Sequence, residues 1–414
     1  MSYVDAYTDI YTDLYGVDAN PTVTVEIAFT NNPGDPSPSW TDVSTWADEY
    51  QSARGRQNEL DRIEAGTALI LLDNSDRRFD PNHAAGPYFG HLRPMKRVRV
   101  TANFRGYTFP RFYGFVEAWE QNYEGENGAI TVVPLRCVDV FKALSLLSLT
   151  GSYPEELTGA RINRVLDALG WPAGDRNIDA GQSTVAAIDL EGVSALAHLQ
   201  EVNDSENGLL FISNDGLVTF IDRHALILDP LDTSLVWGDE DPEYAYKGIT
   251  LDPGDSNLWN DVTVTAEGLT SQNAQDALSI TQYLVRSLTK RTLLASETVM
   301  SDLAYFLLAR FDQPEARVVG MTSDGLPDGT LNAWQTYSAV LARDIGHKII
   351  VRRRPTGGGD PIEQDSVVEA ITESVRGPAW DFSLNLSPAA AVSSFWVLGD
   401  SIQSVLGTTT RPGF

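Results

Sequence analysis

The chain has 414 residues, 42% hydrophobic and 21% charged, a composition that excludes an intrinsically disordered protein. Its formal net charge is −27; a surface that acidic repels phosphate backbones, which argues against DNA or RNA binding and reads first as a device for solubility. No run of about 18 apolar residues is present to span a bilayer, and the N-terminus lacks the basic and apolar regions of a secretory signal.

At this length about two to four domains are expected. Residues 1–20 contain a tandem echo that would place Tyr7 and Tyr11 on one helix face, and they read as an arm that docks on a neighbour. From Pro21 the apolar period becomes two. Val23, Val25 and Ile27 alternate with polar residues as in a half-buried strand, and residues 31–38 form a Pro- and Gly-rich loop. Further strands are predicted at 68–72, 98–104, 107–116 and 130–138, with Arg105-Gly106 as a tight turn between the second and third. Cys137, the only cysteine, lies in the last of these and reads as a buried small hydrophobe.

The pattern then changes. Ile162, Val165, Leu166 and Leu169 fall at helical spacing, ended by Gly170 and Pro172, and a second helix is predicted over 193–202. Residues 208–213 and 217–221 flank Asn214-Asp215-Gly216 as a hairpin. Strand patterning returns at 260–266, a helix is predicted over 300–311, and strands follow at 317–321, 349–354, 366–375 and 381–386. The fold class expected is α+β but mostly β, with two antiparallel barrel-like units and a small α+β insert between them. The expected divisions are an arm at 1–20, a first β unit at 21–150, the insert at 151–245, a second β unit at 246–395 and a tail at 396–414.

Catalytic signatures are sparse. No nucleophile elbow, phosphate-cradling loop, dinucleotide fingerprint or His-Glu-x-x-His helix occurs, and none of the five histidines pairs at i,i+3 or i,i+4. Asp73, Asp76 and Asp80 are the best calcium candidates. Counted from Asp73, however, Arg78 and Ala84 occupy the positions where an EF-hand needs Gly and Glu. A turn in which Arg77 and Arg78 neutralise the acids is the better reading. A glycosidase carboxylate pair cannot be picked from 57 acids, and Trp119, Trp259 and Trp380 sit where core packing is the commoner role. Arg352, Arg353 and Arg354 border a Gly-rich tip. They would bind phosphate, pair with acids of a neighbouring subunit, or serve as the charge on a solvated edge strand.

The stretch Arg54-Gly55-Arg56 followed by Asp73-Asn74-Ser-Asp-Arg77-Arg78-Phe79-Asp80, then Tyr88, Leu92-Arg93-Pro94 and Gly114-Phe115-Val116, resembles minor tail proteins of siphophages infecting actinobacteria. Segments 276–286, 304–317, 368–388 and 398–411 are similar to the later parts of tail-tip hub proteins. The resemblance spans most of the chain and is weakest over 151–250. It implies a structural subunit at the distal end of the virion tail and not an enzyme, with no catalytic, cofactor or metal residues. The subunit would form a homotrimeric ring whose paired barrels match a hexameric distal tail protein ring above. Fibres or other tip proteins would lie below, with the tape measure protein as a further partner candidate. DNA would pass through the ring without being specifically bound, as an acidic lumen allows. The Arg54/Arg56 and Arg77/Arg78 clusters would make ion pairs within or between subunits. Competing readings are the hexameric distal tail protein itself, a receptor- or carbohydrate-binding baseplate protein, and a wall hydrolase.

Overall fold

The computed structural model of the chain describes residues 20–125, 130–228, 235–252, 254–255, 257–314, 317–323, 333–377 and 379–389. Tyr7, Tyr11 and the 396–414 tail lie outside the described residues.

The first β unit comprises β1 (Thr22–Ile27), β2 (Thr41–Asp42), β3 (Ala47–Gly55), β4 (Thr67–Asp73), β5 (Arg97–Phe104), β6 (Tyr107–Trp119), β7 (Asn122–Glu124) and β8 (Ile130–Val138). Alternation sets which side each strand buries: Val98, Val100, Ala102 and Phe104 of β5 all face the core. Arg105 and Gly106 both take positive φ, 51° and 79°, the geometry of a two-residue hairpin turn that keeps the strand twist. The strand order is β2-β1-β5-β6-β8-β4-β3, antiparallel throughout, with β7 beside β8. Cys137 is buried in this core, and burial pushes its thiol up out of the reactive range.

The middle of the chain is α+β. It holds α1 (Val140–Leu146), β9 (Ser148–Tyr153), β10 (Glu156–Leu157), α2 (Thr158–Ala168), β11 (Arg176–Ile178), β12 (Thr184–Val185), β13 (Ile188–Ser194), α3 (Ala195–Glu206), β14 (Leu209–Ile212), β15 (Val218–Ile221) and α4 (Arg223–Leu228). Ile162, Val165 and Leu166 of α2 meet Leu199 and Val202 of α3 and Phe211 and Phe220 of the hairpin in one core, which also takes Phe115 from β6. The second helix starts at Ala195 and runs to Glu206, four residues beyond the predicted end, because the stretch before it pairs with β9 as β13 and Asn207 supplies the left-handed stop at φ 57°.

The second β unit is built from β16 (Val236–Gly238), β17 (Tyr244–Ala245), β18 (Gly248–Asp252), β22 (Arg317–Ser323), β23 (Lys348–Arg353), β24 (Ile362–Arg376) and β25 (Ala379–Pro388). Between β18 and β22 lie β19 (Asp261–Ala266), β20 (Gln272–Gln275), α5 (Ala277–Tyr283), β21 (Ser287–Thr292) and α6 (Glu297–Phe311); α7 (Ala333–Leu341) precedes β23. The strands β19, β20 and β21 form their own sheet, on which α6 packs Met300, Leu303, Leu307 and Phe311 over Val262 and Val264. The strand β23 lies between β16, which pairs with its Ile350 and Val351, and β24, which also pairs with its Arg352 and Arg353.

One strand joins the two halves. Along one side β24 pairs with β25. Along the other, Ile362–Val367 pairs with β23 and Ala370–Arg376 pairs with β3. The two barrel-like units therefore share a single 15-stranded sheet and a single apolar core that runs from Val25 and Phe104 to Val368 and Trp380. The strand β3 was not among the predicted elements. Its inward residues are Tyr50, Ser52 and Arg54, so its alternation is polar and does not register as a hydrophobic pattern.

Candidate functional site: a buried charged seam

The motif Arg54-Gly55-Arg56 lies at the point where β3 crosses onto β24. A register shift between Val368 and Ala370 makes Glu369 a bulge, and its carbonyl accepts the Arg56 N–H at 3.0 Å. Gly55 sits over this bulge at φ +107°. A Cβ there would stand 2.2 Å from the Glu369 oxygen and 2.5 Å from the Ala370 Cα, so only glycine lets the strands approach.

The two arginines point to different partners. Arg56 donates Nε to Glu369 Oε2 at 2.6 Å, and Glu369 Oε1 accepts the Ser387 hydroxyl at 2.5 Å. Arg54 donates to the Ile212 carbonyl at 3.0 Å, to Asn214 Oδ1, and to Asp344 Oδ1 at 3.0 Å. Asp344 also accepts the Asn214 N–H at 2.7 Å. One buried guanidinium thus joins β3, the tip of the insert hairpin and the turn before β23. Its five fixed donors suit it to this three-way junction in a way that a lysine would not.

A third arginine completes the seam. Arg111 of β6 and Glu373 of β24 form an ion pair, both fully buried, and Arg111 Nη1 donates to the Leu341 carbonyl at 2.5 Å. Burial pushes the Arg111 guanidinium down to about 10. Nearby, Asp139 caps α1 through the Phe141 N–H at 2.9 Å and takes the Gly66 N–H at 2.6 Å; burial pushes its carboxyl up to about 7. Glu59, in the loop after β3, accepts from Arg310 Nε at 2.8 Å and from Arg317 Nη1 at 3.5 Å, tying α6 and β22 to the same region.

The other motif residues lie away from the seam, at one end of the first β unit. Asp73, Asp76 and Asp80 each accept a backbone N–H two residues on, from Ser75, Arg78 and Asn82, as the turn reading requires. Arg77 pairs with Asp80 and Arg78 with Asp76. Asn74 is buried and holds the turn from inside, taking the Phe79 N–H at 2.8 Å and donating to Gln121 at 2.9 Å. Phe79 is carried into the barrel mouth, stacked on Tyr88 and Trp119 with Trp46 edge-on, while Arg78 lies 3.5 Å over the Trp46 ring. The family-like motif is therefore two structural devices, and the structure does not bring them together.

The arginines 352–354 find their acids within the chain. Arg352 and Arg354 both reach Glu243, and Arg353 and Arg354 both reach Asp239. Hydrogen bonds from Arg354 first, and Arg352 after it, hold the Glu243 carboxyl down at about 2. Among the described residues no three His, Cys, Asp or Glu side chains cluster as a metal site. The buried acids of the seam escape sequence reading because isolated glutamates in a strand look solvated. One signal was present: Ile371, Glu373 and Val375 share a parity, which places the carboxylate on an apolar face.

No family model and no curated protein matches the chain. Among solved structures it is similar to the tail protein from Neisseria meningitidis MC58, with a TM-score of 0.56 and 13% identity over 89% of this chain and 96% of that one. It is equally similar to the 43 kDa tail protein of prophage MuSo2 from Shewanella oneidensis, with a TM-score of 0.56 and 11% identity over 89% of this chain and 97% of that one. At these identities the likeness is one of fold, and the chain has the fold of these two tail proteins over nearly the whole length of all three.

Proposed function

We propose that this chain is a structural subunit of a phage tail tip, a hub protein whose copies form a threefold ring around the DNA exit path. The observation that carries the reading is the end-to-end match in fold with two tail proteins, joined to the tail-protein motifs of the sequence. The architecture suits the role. Two barrel-like units fused through β24 make one stiff body, so three copies would present six similar units to a sixfold ring above. In this reading Arg54, Gly55 and Arg56 fix the angle between the units. Asp73, Asn74, Arg77, Arg78, Phe79 and Asp80 hold the mouth of the first one. The protein binds distal tail and tip or fibre proteins, performs no catalysis, and lets DNA pass without specific contact.

The test is the mass of the purified chain in solution, alone and mixed with tail-tip proteins of the same virion, followed by imaging of any ring. A trimer, or a monomer that becomes a threefold ring on mixing, supports the proposal. A sixfold ring moves the chain to the distal tail position. A stable monomer that joins no tail component rejects the proposal.

A further inference from the structure

A small cavity lies where the insert, the loop after β3, α6 and the β24–β25 pair meet. It has a volume of about 50 Å³, and Arg56, Arg223, Arg310, Phe306 and Glu369 line it. A buried water needs roughly 10–15 Å³ of such space, so there is room for a group of several heavy atoms.

Arg223 is the unusual member. It is only 4% exposed, yet its Nε and Nη1 have no hydrogen-bond partner. Its guanidinium lies 5.5 Å over the Phe306 ring. Buried guanidinium donors left unpaired are costly and demand a partner. The carboxylates of Glu206, Asp302 and Asp222 act on it through charge, and none accepts a hydrogen bond from Nε or Nη1. Glu206 accepts from Thr158, Gln182 and Ser183, and Asp222 accepts from Gln182 and Ala225. The two lining carboxylates are also committed, Glu369 to Arg56 and Ser387 and Glu59 to Arg310 and Arg317. Behind the lining, Lys290 donates to Asn207 at 2.5 Å, so a further cation backs the cavity.

We propose that this cavity binds a small oxyanion of phosphate or sulfate size, with Arg223 as its principal ligand. Size and donors agree: the void admits a tetrahedral oxyanion, and the lining guanidinium whose Nε and Nη1 make no hydrogen bond supplies donors for one. An anion held there would link α4, the loop after β3 and α6, three segments that share no strand pairing. The site stands on this geometry alone and does not depend on the tail reading.

Titration of the full chain with inorganic phosphate, against sodium chloride at matched ionic strength, tests the site by calorimetry and by thermal unfolding. Expected are saturable heat and a saturable rise in Tm. The Arg223→Gln variant should bind phosphate about tenfold or more weakly, the equivalent of one lost charge-assisted hydrogen-bonded pair. Arg223→Lys, which keeps the charge and loses the guanidinium donors, should fall between and guards against a misfolded Gln variant. Absence of saturation, or a Tm rise of equal size in wild type and both variants, would mean a general salt effect and overturn the proposal.

Discussion

Arg111 on β6 and Glu373 on β24 form an ion pair whose side chains are 0% and 1% exposed, reaching from the first β unit into the shared sheet of the second. Two charges taken this far from water stay there only as a pair, because each without the other keeps its full desolvation penalty. Glu373→Gln should therefore destabilise the chain by about 3–5 kcal/mol in urea unfolding, and Arg111→Met by a similar amount. The double variant Arg111→Met with Glu373→Leu should recover most of the loss. A double variant as unstable as the sum of the singles would show no coupling between the two charges and would overturn the ion pair as the device that holds the seam.

Gly55→Ala should open the seam. The added methyl meets backbone at 2.2 Å and the residue must hold φ +107°, so strain and overpacking act together. A loss of roughly 3 kcal/mol is expected, read as a lowered Tm. Limited proteolysis should show new cuts near residues 55–66. Alanine at Gly34, which has nothing within 4 Å, is the control and should be neutral.

Phe79→Ala should cost about 3–5 kcal/mol, as for other buried aromatic deletions. Phe79 stacks on Trp119 with ring centres 6.2 Å apart, so the near-ultraviolet dichroism of that tryptophan should change as well. An unchanged spectrum with full stability would remove Phe79 as the plug of the barrel mouth.

His198 sets part of the acid sensitivity. Burial, helped by Arg161, holds its imidazole down at about 4, below the ordinary 6.5. Between these values the unfolded chain binds a proton that the folded chain refuses. Stability from this residue is thus full above about 6.5 and is lost as pH falls toward 4. His198→Leu should flatten that part of the stability profile and leave the region above neutrality unchanged. Asp139 slopes the opposite way: its folded carboxyl titrates near 7, so its contribution is full below the unfolded value near 3.8 and falls as pH rises to 7. Urea midpoints across pH 4–8 in the wild type, His198→Leu and Asp139→Asn separate the two.

Local order was legible. The alternation of Val98, Val100, Ala102 and Phe104, the Arg105-Gly106 turn and the 3.6-residue spacing of Ile162, Val165 and Leu166 follow from short-range sterics and from which side of each element meets water. So did the turn at Asp73–Asp80, because Asp and Asn side chains bond their own backbone.

What tertiary structure decided is where those faces meet. The apolar period of β19 is the same whether the strand joins the large sheet or, as here, a small sheet under α6. The inward face of β3 looked like surface because Tyr50 is followed at the next two inward positions by Ser52 and Arg54, which carry no hydrophobic signal. Tyr50 is buried in the shared apolar core, and Arg54 is buried with Asn214 and Asp344, far along the chain, as its partners. Glu369 and Glu373 are likewise interior through partners that spacing cannot locate. Periodicity reports which face of an element is apolar. It does not report which distant segment brings the opposite charge, and the seam between the two β units is made of such encounters.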